Sequence, residues 1–316
     1  MRGGEILIAV NTARRDVTIG EAVLRGAGLL ARAGIENARL NAEVLLRHVL
    51  GLQREQFYLS TARRLGEEEQ AGFEIALRRR IEHEPVAYIT GRKEFWSRDF
   101  LVGRAVLIPR PETEVLVEVG LEIARRTQFD SGLRILDVGT GSGAIAVTFA
   151  KELPAAEITA TDLSAAALQI ARENAQRHEV ADRIHFLNGD LFDALDEQEA
   201  VFHLVVCNPP YIGSADLAAL PPEIRVWEPG AALDGGVDGL DYYRRIIADA
   251  PRHLAFAGHI VLEIGAGMAG DICRLFDEAD CYEAVSVYQD YAGTGRVISA
   301  RKVRCRRRRW GGYRRG

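Results

Sequence analysis

Arg134-Ile135-Leu136-Asp137-Val138-Gly139-Thr140-Gly141-Ser142-Gly143-Ala144 decides how this chain folds. An apolar run of strand length ends in three alternating glycines, and a helical pattern over 144–152 follows at once. Glycines at such a turn let the backbone approach a ligand closely, and the start of the helix offers unpaired N–H groups. Further strands are expected at 157–161, 183–187, 203–207, 259–264, 283–289 and 296–300, with helices at 165–176, 242–253 and 269–277. This alternation predicts an α/β domain, a mostly parallel seven-stranded sheet with helices on both faces. The last two strands are joined by a short glycine-containing loop, 291–295, and are expected to pair antiparallel.

Upstream of that domain the pattern is helical. Thr18-Ile19-Gly20-Glu21 is a capping box, with a hydroxyl at the N-cap and a carboxylate three residues later. A second helix is expected over 37–50, with Ala42, Leu45, Leu46 and Val49 on one face and Gly51 as its stop. A third, over 67–81, has acids in its first turn and Arg78-Arg79-Arg80 in its last, both favourable to the helix dipole. Residues 17–84 therefore read as a small helical domain. Over 85–110 the pieces shorten to Tyr88-Ile89, Glu94-Phe95-Trp96 and Phe100-Leu101-Val102, the pattern of a β-hairpin linker. After Pro109 and Pro111 a helix is expected over 112–126, opening a domain that runs over 111–300. Residues 1–16 form an extension and 301–316 a basic tail.

The 316 residues suffice for two domains, and a hydrophobic content of 47% with 27% charged is that of a globular protein. No apolar run reaches the roughly 18 residues of a membrane helix, so no membrane partner is expected. Cys207, Cys273, Cys281 and Cys305 form no CxxC pair and are expected to be reduced, mostly buried thiols in a cytoplasmic, monomeric protein. The net charge of −5 hides an asymmetry. Nine of the 40 Lys/Arg lie in 301–316, which leaves 31 bases against 45 acids, a net −14, for the rest. An acidic body is ill suited to gripping duplex DNA, whose affinity comes largely from phosphate neutralisation. Nucleic-acid contact is expected only through the tail, where Trp310 and Tyr313 offer stacking faces among arginines.

Asp162 lies 23 residues after Gly139, where an acid can accept hydrogen bonds from ribose hydroxyls. Gly189-Asp190 ends the third strand of the domain in the same manner. The glycine string also satisfies G-x-G-x-x-A, so a dinucleotide-binding dehydrogenase is a rival. Asp137, just before the glycines, would repel a pyrophosphate. A cofactor with a ribose and an amino-acid part but no phosphate suits the loop better, which describes S-adenosyl-L-methionine.

Asn208-Pro209-Pro210-Tyr211 follows the apolar run Leu204-Val205-Val206-Cys207. It places a stiff polar tetrapeptide at the carboxyl end of a buried strand, where open α/β sheets bind ligands. A proline-rich strand-ending turn is the plain alternative.

Together these motifs resemble the HemK/PrmC protein-glutamine methyltransferases. The resemblance runs from about Thr18 to Ala300. It rests on Glu84-Pro85-Val86-Ala87-Tyr88-Ile89-Thr90-Gly91, Ile108-Pro109-Arg110-Pro111-Glu112-Thr113-Glu114 and the glycine loop. Asn208 through Ile212, Glu228-Pro229 and Gly235-Gly236-Val237-Asp238-Gly239-Leu240-Asp241 complete it. It implies a class I, Rossmann-like S-adenosylmethionine-dependent methyltransferase domain behind a helical domain that docks class 1 peptide chain release factors. The implied acceptor is the glutamine of their Gly-Gly-Gln motif, whose modification tunes translation termination. Carried over by position, Gly139, Thr140, Gly141, Ser142 and Gly143 line the methionine part of the cofactor. Asp162 holds the ribose, Asp190 with Leu191 borders the adenine, and Asn208 lies between cofactor and acceptor. Asn208, Pro209, Pro210 and Tyr211 receive the glutamine. The chain departs from the family in its longer extension, in Gly295 where an acid is common, and in its arginine-rich tail.

The chemistry expected of such a site is orientation of a weak amide nucleophile against an activated methyl donor. Asn208 and the Pro209 carbonyl are expected to accept the two amide hydrogens, and Tyr211 to stack on the amide plane. Glu112, Glu114 and Glu228 are expected to be solvated or capping carboxylates, and Arg110 to hold a wall of the pocket. The seven histidines are scattered, and no metal site is expected. A DNA or RNA adenine or cytosine amino-methyltransferase is the enzymatic rival and would have to flip a base. A non-catalytic, cofactor-binding interaction protein is the rival from another class.

Overall fold

A computed structural model describes residues 17–127, 132–195 and 201–305. The extension and most of the basic tail therefore lie outside the described residues. The described chain divides into two compact units, one ending at Arg92 and also taking in Pro221–Trp227, the other holding the remainder.

In the first unit α1 (Ile19–Arg32) starts at the expected capping box, with Glu21 N–H donating to Thr18 Oγ1 and Thr18 N–H to the Glu21 carboxylate. Then come α2 (Ala38–Leu50), α3 (Arg54–Leu59), α4 (Glu67–Ile81) and α5 (Val86–Thr90). Their inner faces bury Ile19, Leu30, Leu45, Phe57 and Phe73 in one cluster. Gly26 lets α1 press on Phe73, whose ring would lie 2.8 Å from a Cβ there. Tyr88 and Ile89 belong to α5 and not to a strand, which corrects the sequence reading. Pro85 sits at the N-cap of α5 with φ −56°, Gly91 stops it in the left-handed region, and burial of both side chains outweighs their β-propensity. Arg79 grips the buried Glu84 with Nε and Nη2 at 2.7 and 2.6 Å, so this acid fastens the end of α4. Arg80, also buried, reaches Asn41, the Glu84 carbonyl and Glu223, and with Trp227 donating to the Glu82 carbonyl it holds Pro221–Trp227 on this unit.

The second unit begins within a hairpin, β1 (Arg92–Phe95) and β2 (Arg98–Leu101), joined by Trp96 and Ser97 at positive φ. After α6 (Thr113–Arg126) come β3 (Arg134–Val138), α7 (Ala144–Glu152), β4 (Glu157–Asp162), α8 (Ala165–Arg177), β5 (Ile184–Asn188) and β6 (Phe202–Cys207). Then follow α9 (Asp241–His253), β7 (Leu254–Glu263), α10 (Ala269–Ala279), β8 (Tyr282–Gln289) and β9 (Gly295–Lys302). The seven strands lie in the order β5-β4-β3-β6-β7-β9-β8. β3 through β7 are parallel, while β9 pairs antiparallel with both β7 and β8, as expected. One apolar cluster lies on each face, one around Leu116, Val147 and Phe149 and the other around Tyr243, Ile246 and Phe276.

Two features of this unit depart from expectation. β7 begins at Leu254, five residues early, because Leu254 already pairs with Phe202; a bend at Ala257, φ +59°, accompanies the register shift before Leu204 pairs with His259. Cys281 and Cys305 form a disulfide, so only Cys207 and Cys273 are free thiols. Tyr282 pairs with Lys302, and Val303 donates to the Cys281 carbonyl, which brings the two Cα atoms to 4.1 Å. Among the described residues no helix is long and apolar enough to cross a membrane.

Candidate functional site

The chain runs from β3 outward to β4 and β5, then returns to the other side of β3 to form β6. The carboxyl ends of β3 and β6 thus flank the switch point of the sheet, where a crevice opens in open α/β folds. Val138 pairs with Cys207, so the glycine loop and Asn208 leave neighbouring strands at one level. Both line a single cavity of about 440 Å³, within the range of small-molecule sites.

The glycine loop is fixed from below. Gly139 and Thr140 donate to the Thr161 carbonyl at 2.8 and 2.9 Å, and Gly141 donates to Asp162 Oδ2 at 2.8 Å. Gly139 and Gly141 hold φ +72° and +54°, and a Cβ on either would meet nothing within 4 Å. That open side faces the cavity, which Gly139, Thr140, Gly141 and Ser142 line. Gly143 does not line it; a Cβ there would lie 3.1 Å from Ala171, so this glycine admits the close approach of α8. Gly143 thus has a packing role in this structure, beside the expectation that it touches a ligand.

Asp137 lies wholly buried beneath the loop. Its Oδ2 accepts from Thr140 Oγ1 at 2.7 Å and Ala146 N–H at 3.1 Å, whereas Oδ1 has no partner. Burial pushes its carboxyl up to about 7, against those two hydrogen bonds. A buried carboxylate oxygen in want of a donor suits a ligand that brings a cationic or N–H group, and it disfavours a pyrophosphate.

Asp162 ends β4 and lines the cavity, its two oxygens accepting from Gly141 and Ser164 N–H groups. Burial raises its pKa, and those backbone hydrogen bonds oppose the rise. Asp190 and Leu191 line the same cavity beyond β5, with Asp190 held by Arg245 at 2.6 Å. Leu191 takes φ +52°, and its carbonyl accepts from Thr161 Oγ1. Carboxylates and an apolar side chain at one cavity are chemically compatible with a ribose and a flat apolar group.

Asn208, Pro209 and Pro210 form the opposite wall. Tyr211 does not line the cavity; its ring lies beside Gly265, where a Cβ would be 3.1 Å from Cδ2. Arg110 lines the wall, as expected, and donates to the buried Glu228 at 2.5 Å. Glu228 also accepts from Ile108 N–H at 3.1 Å, so it is a buried anchor and not a solvated carboxylate. Glu112 occupies the N-cap of α6, and Glu114 accepts from Trp96 N–H at the hairpin turn.

Three residues of the site escaped the sequence reading. Tyr242, at the start of α9, lines the cavity beside Asp190 and Leu191. Thr113 also lines it and joins Asn208 to the buried Glu263. Glu263 ends β7, one strand over from Asn208, and its place after an apolar run was the available signal.

The PrmC N-terminal domain family matches residues 21–91, and the methyltransferase small domain family matches residues 117–219. A release factor glutamine methyltransferase of Geobacter sulfurreducens is 44% identical over 277 residues, spanning 87% of this chain and 93% of that protein. One of Cereibacter sphaeroides is 44% identical over 272 residues, spanning 86% and 94%. Among solved structures, the hMettl16 catalytic domain in complex with MAT2A 3'UTR hairpin 6 shares the fold with a TM-score of 0.52 at 15% identity. That match covers 64% of this chain and 74% of the other. With relatives this similar along nearly their whole length, this chain belongs to the release factor glutamine methyltransferase family.

Proposed function

We propose that this chain transfers a methyl group from S-adenosyl-L-methionine to the side-chain amide nitrogen of the glutamine in the Gly-Gly-Gln motif of class 1 peptide chain release factors. The observation that carries this reading is the shared cavity of the glycine loop and Asn208, set by the pairing of Val138 with Cys207. The relatives' activity, stated in their names, supports the acceptor.

Bound S-adenosylmethionine supplies a methyl group already activated by its sulfonium. Gly139, Thr140, Gly141 and Ser142 face its amino-acid part, Asp162 its ribose, and Asp190 with Leu191 its adenine. Asp137, buried beneath the loop with one oxygen unpaired, adds a negative field behind the cationic end without lining the cavity.

The chain's own residues must orient a poor nucleophile, because the amide lone pair is delocalised into its carbonyl. Asn208 Oδ1 and the Pro209 carbonyl accept the two amide hydrogens and turn the lone pair towards the methyl group. Those same acceptors stabilise the positive charge that grows on nitrogen. Pro209 and Pro210 hold the carbonyl so that it need not reorganise. Tyr211, whose ring rests beside Gly265 outside the cavity lining, is the aromatic residue assigned to cover the amide plane when the acceptor is bound. A carbon–nitrogen bond forms, the carbon–sulfur bond breaks, and the nitrogen then releases its proton to solvent, so no strong base is needed. The helical unit docks the release factor, and the protein works in the cytoplasm as a monomer.

Mass spectrometry of release factors incubated with enzyme and labelled cofactor tests this directly. Label is expected on the Gly-Gly-Gln glutamine, and Asn208→Ala is expected to abolish it while largely keeping cofactor affinity. Full-rate transfer by that variant would sink the assigned mechanism, and methylation of bare DNA or RNA alone would sink the acceptor.

A further inference from the structure

Asn208 can serve as an acceptor only if its side-chain amide is turned the right way. An asparagine offers an oxygen at one end and two N–H donors at the other, and rotation by half a turn exchanges them. A donor end facing the glutamine amide would set N–H against N–H. Some feature of the site must fix the choice.

Asn208 Nδ2 donates to Thr113 Oγ1 at 3.2 Å, and Thr113 Oγ1 donates to Glu263 Oε2 at 2.6 Å. Thr113 and Glu263 are 4% and 2% exposed, so water does not compete for the bond between them. Three separate elements make the chain of bonds possible. Thr113 stands in the first turn of α6, Glu263 ends β7, and Asn208 directly follows β6. Cys207 pairs with Leu262, which sets Asn208 and Glu263 side by side. Tyr243 donates to the Glu263 backbone carbonyl at 2.8 Å and fixes the end of that strand.

We propose that Thr113 and Glu263 are positioning residues that set the polarity of the Asn208 amide, an inference that rests on the methyl-transfer reading above. An ionised carboxylate only accepts. It therefore claims the single hydroxyl hydrogen of Thr113 and leaves that oxygen with lone pairs alone. Asn208 must answer with Nδ2, and Oδ1 is turned away from Thr113 towards the cavity. Without the carboxylate the hydroxyl hydrogen is free to point at Asn208, and both amide orientations become accessible. Burial, with the nearby charge of Glu112, pushes Glu263 up to about 7, while the Thr113 bond and the charges of Arg296 and Arg110 oppose that rise. The carboxylate form that the relay needs is accordingly the main one at pH 8.

The test uses the full-length protein at pH 8. Thr113→Val keeps the shape but removes the relay, Thr113→Ser keeps the hydroxyl, and Glu263→Gln introduces a donor at nearly constant volume. Thr113→Val and Glu263→Gln are expected to lower kcat about 10- to 100-fold, the scale of a misdirected reacting group. Their cofactor Kd should stay near that of the wild type, and Thr113→Ser should restore most of the rate. The second readout is the Asn208 side-chain 15N–1H signal pair, which Thr113→Val and Glu263→Gln should shift and Thr113→Ser should leave in place. Unchanged kcat in Thr113→Val, or signals that ignore both substitutions, overturns the relay. Failure of the functional reading looks different, since the wild type then leaves every Gly-Gly-Gln protein unmodified. In that case the amide signals alone decide the relay, and either variant suffices if the other does not fold.

Discussion

A Cβ placed on Gly239 would overlap the carbonyl oxygen of Tyr211. Gly239 also holds φ +75°, a conformation that side chains strain to adopt. Gly235 approaches from beside it, where a Cβ would lie 2.8 Å from Tyr211 Cα and 2.9 Å from the Pro210 carbonyl oxygen. The backbone of the tetrapeptide is thus shaped from behind by bare glycine backbone, with Ile212 N–H donating to the Leu233 carbonyl and Gly235 N–H to the Ile212 carbonyl.

Gly239→Ala is therefore expected to push the Tyr211 peptide and displace Asn208 and Pro209, the acceptors in the proposed mechanism. A displacement near 1 Å at a reacting group costs roughly 100-fold in rate, so kcat in the methyl-transfer assay should fall on that scale. Cofactor affinity should hold, because the glycine loop leaves a different strand. Gly293→Ala is the control, since Gly293 also has a positive φ, +82°, but a Cβ there meets nothing within 4 Å. It should lose only about 1 kcal/mol of stability and keep its rate. Equal rate loss in both variants would show that strain in φ, not contact with Tyr211, is what matters.

Local patterns made much of the fold legible. Residues 134–138 and 144–152 adopt the expected strand and helix, since the apolar run, the glycines and the helical period all agree there. The α5 turn was misread because Tyr88 and Ile89 favour strands in isolation, and only burial in the helical core reverses that preference. The site divides in the same way. The places of Asp162, Asp190 and Asn208 on the cavity were legible because each ends or follows a strand. Glu263 also ends a strand, but its partnership with Thr113 was not legible, because it spans 150 residues and depends on which strands become neighbours. The disulfide was hidden for the same reason, as it requires the register of β8 on β9.

Asp137 makes the stability of the protein depend on pH. Its folded carboxyl titrates at about 7 against an ordinary 3.8, so between these values the folded state holds a proton that the unfolded state has lost. This group's contribution to stability is complete below about 3.8 and disappears as pH rises through about 7. The full span is on the order of 4 kcal/mol. Asp137→Asn stays neutral throughout, so relative to the wild type it should gain stability on moving from pH 5 to pH 8. Urea unfolding of the ligand-free protein at the two values measures the change. A difference that does not depend on pH would mean that Asp137 is ionised at both.

Glu228 holds the wall of the cavity and does no acid–base work. One oxygen takes the Arg110 guanidinium and the other the Ile108 N–H, and the side chain is only 1% exposed. Glu228→Gln can satisfy one donor but turns an N–H toward the second. A fully buried pair would lose about 3–5 kcal/mol on such a change. The Arg110 side chain is 30% exposed and partly screened, so about 2 kcal/mol is the better expectation. Because Arg110 and Pro109 line the cavity, cofactor Kd should weaken along with stability. In a double-mutant cycle with Arg110→Met the two losses should fall short of additive by about 1 kcal/mol or more, as for other residues in direct contact. Strict additivity would mean that Glu228 acts through Ile108 alone. Activity in Glu228→Gln should recover at saturating cofactor, whereas a catalytic acid or base would leave kcat depressed at every concentration.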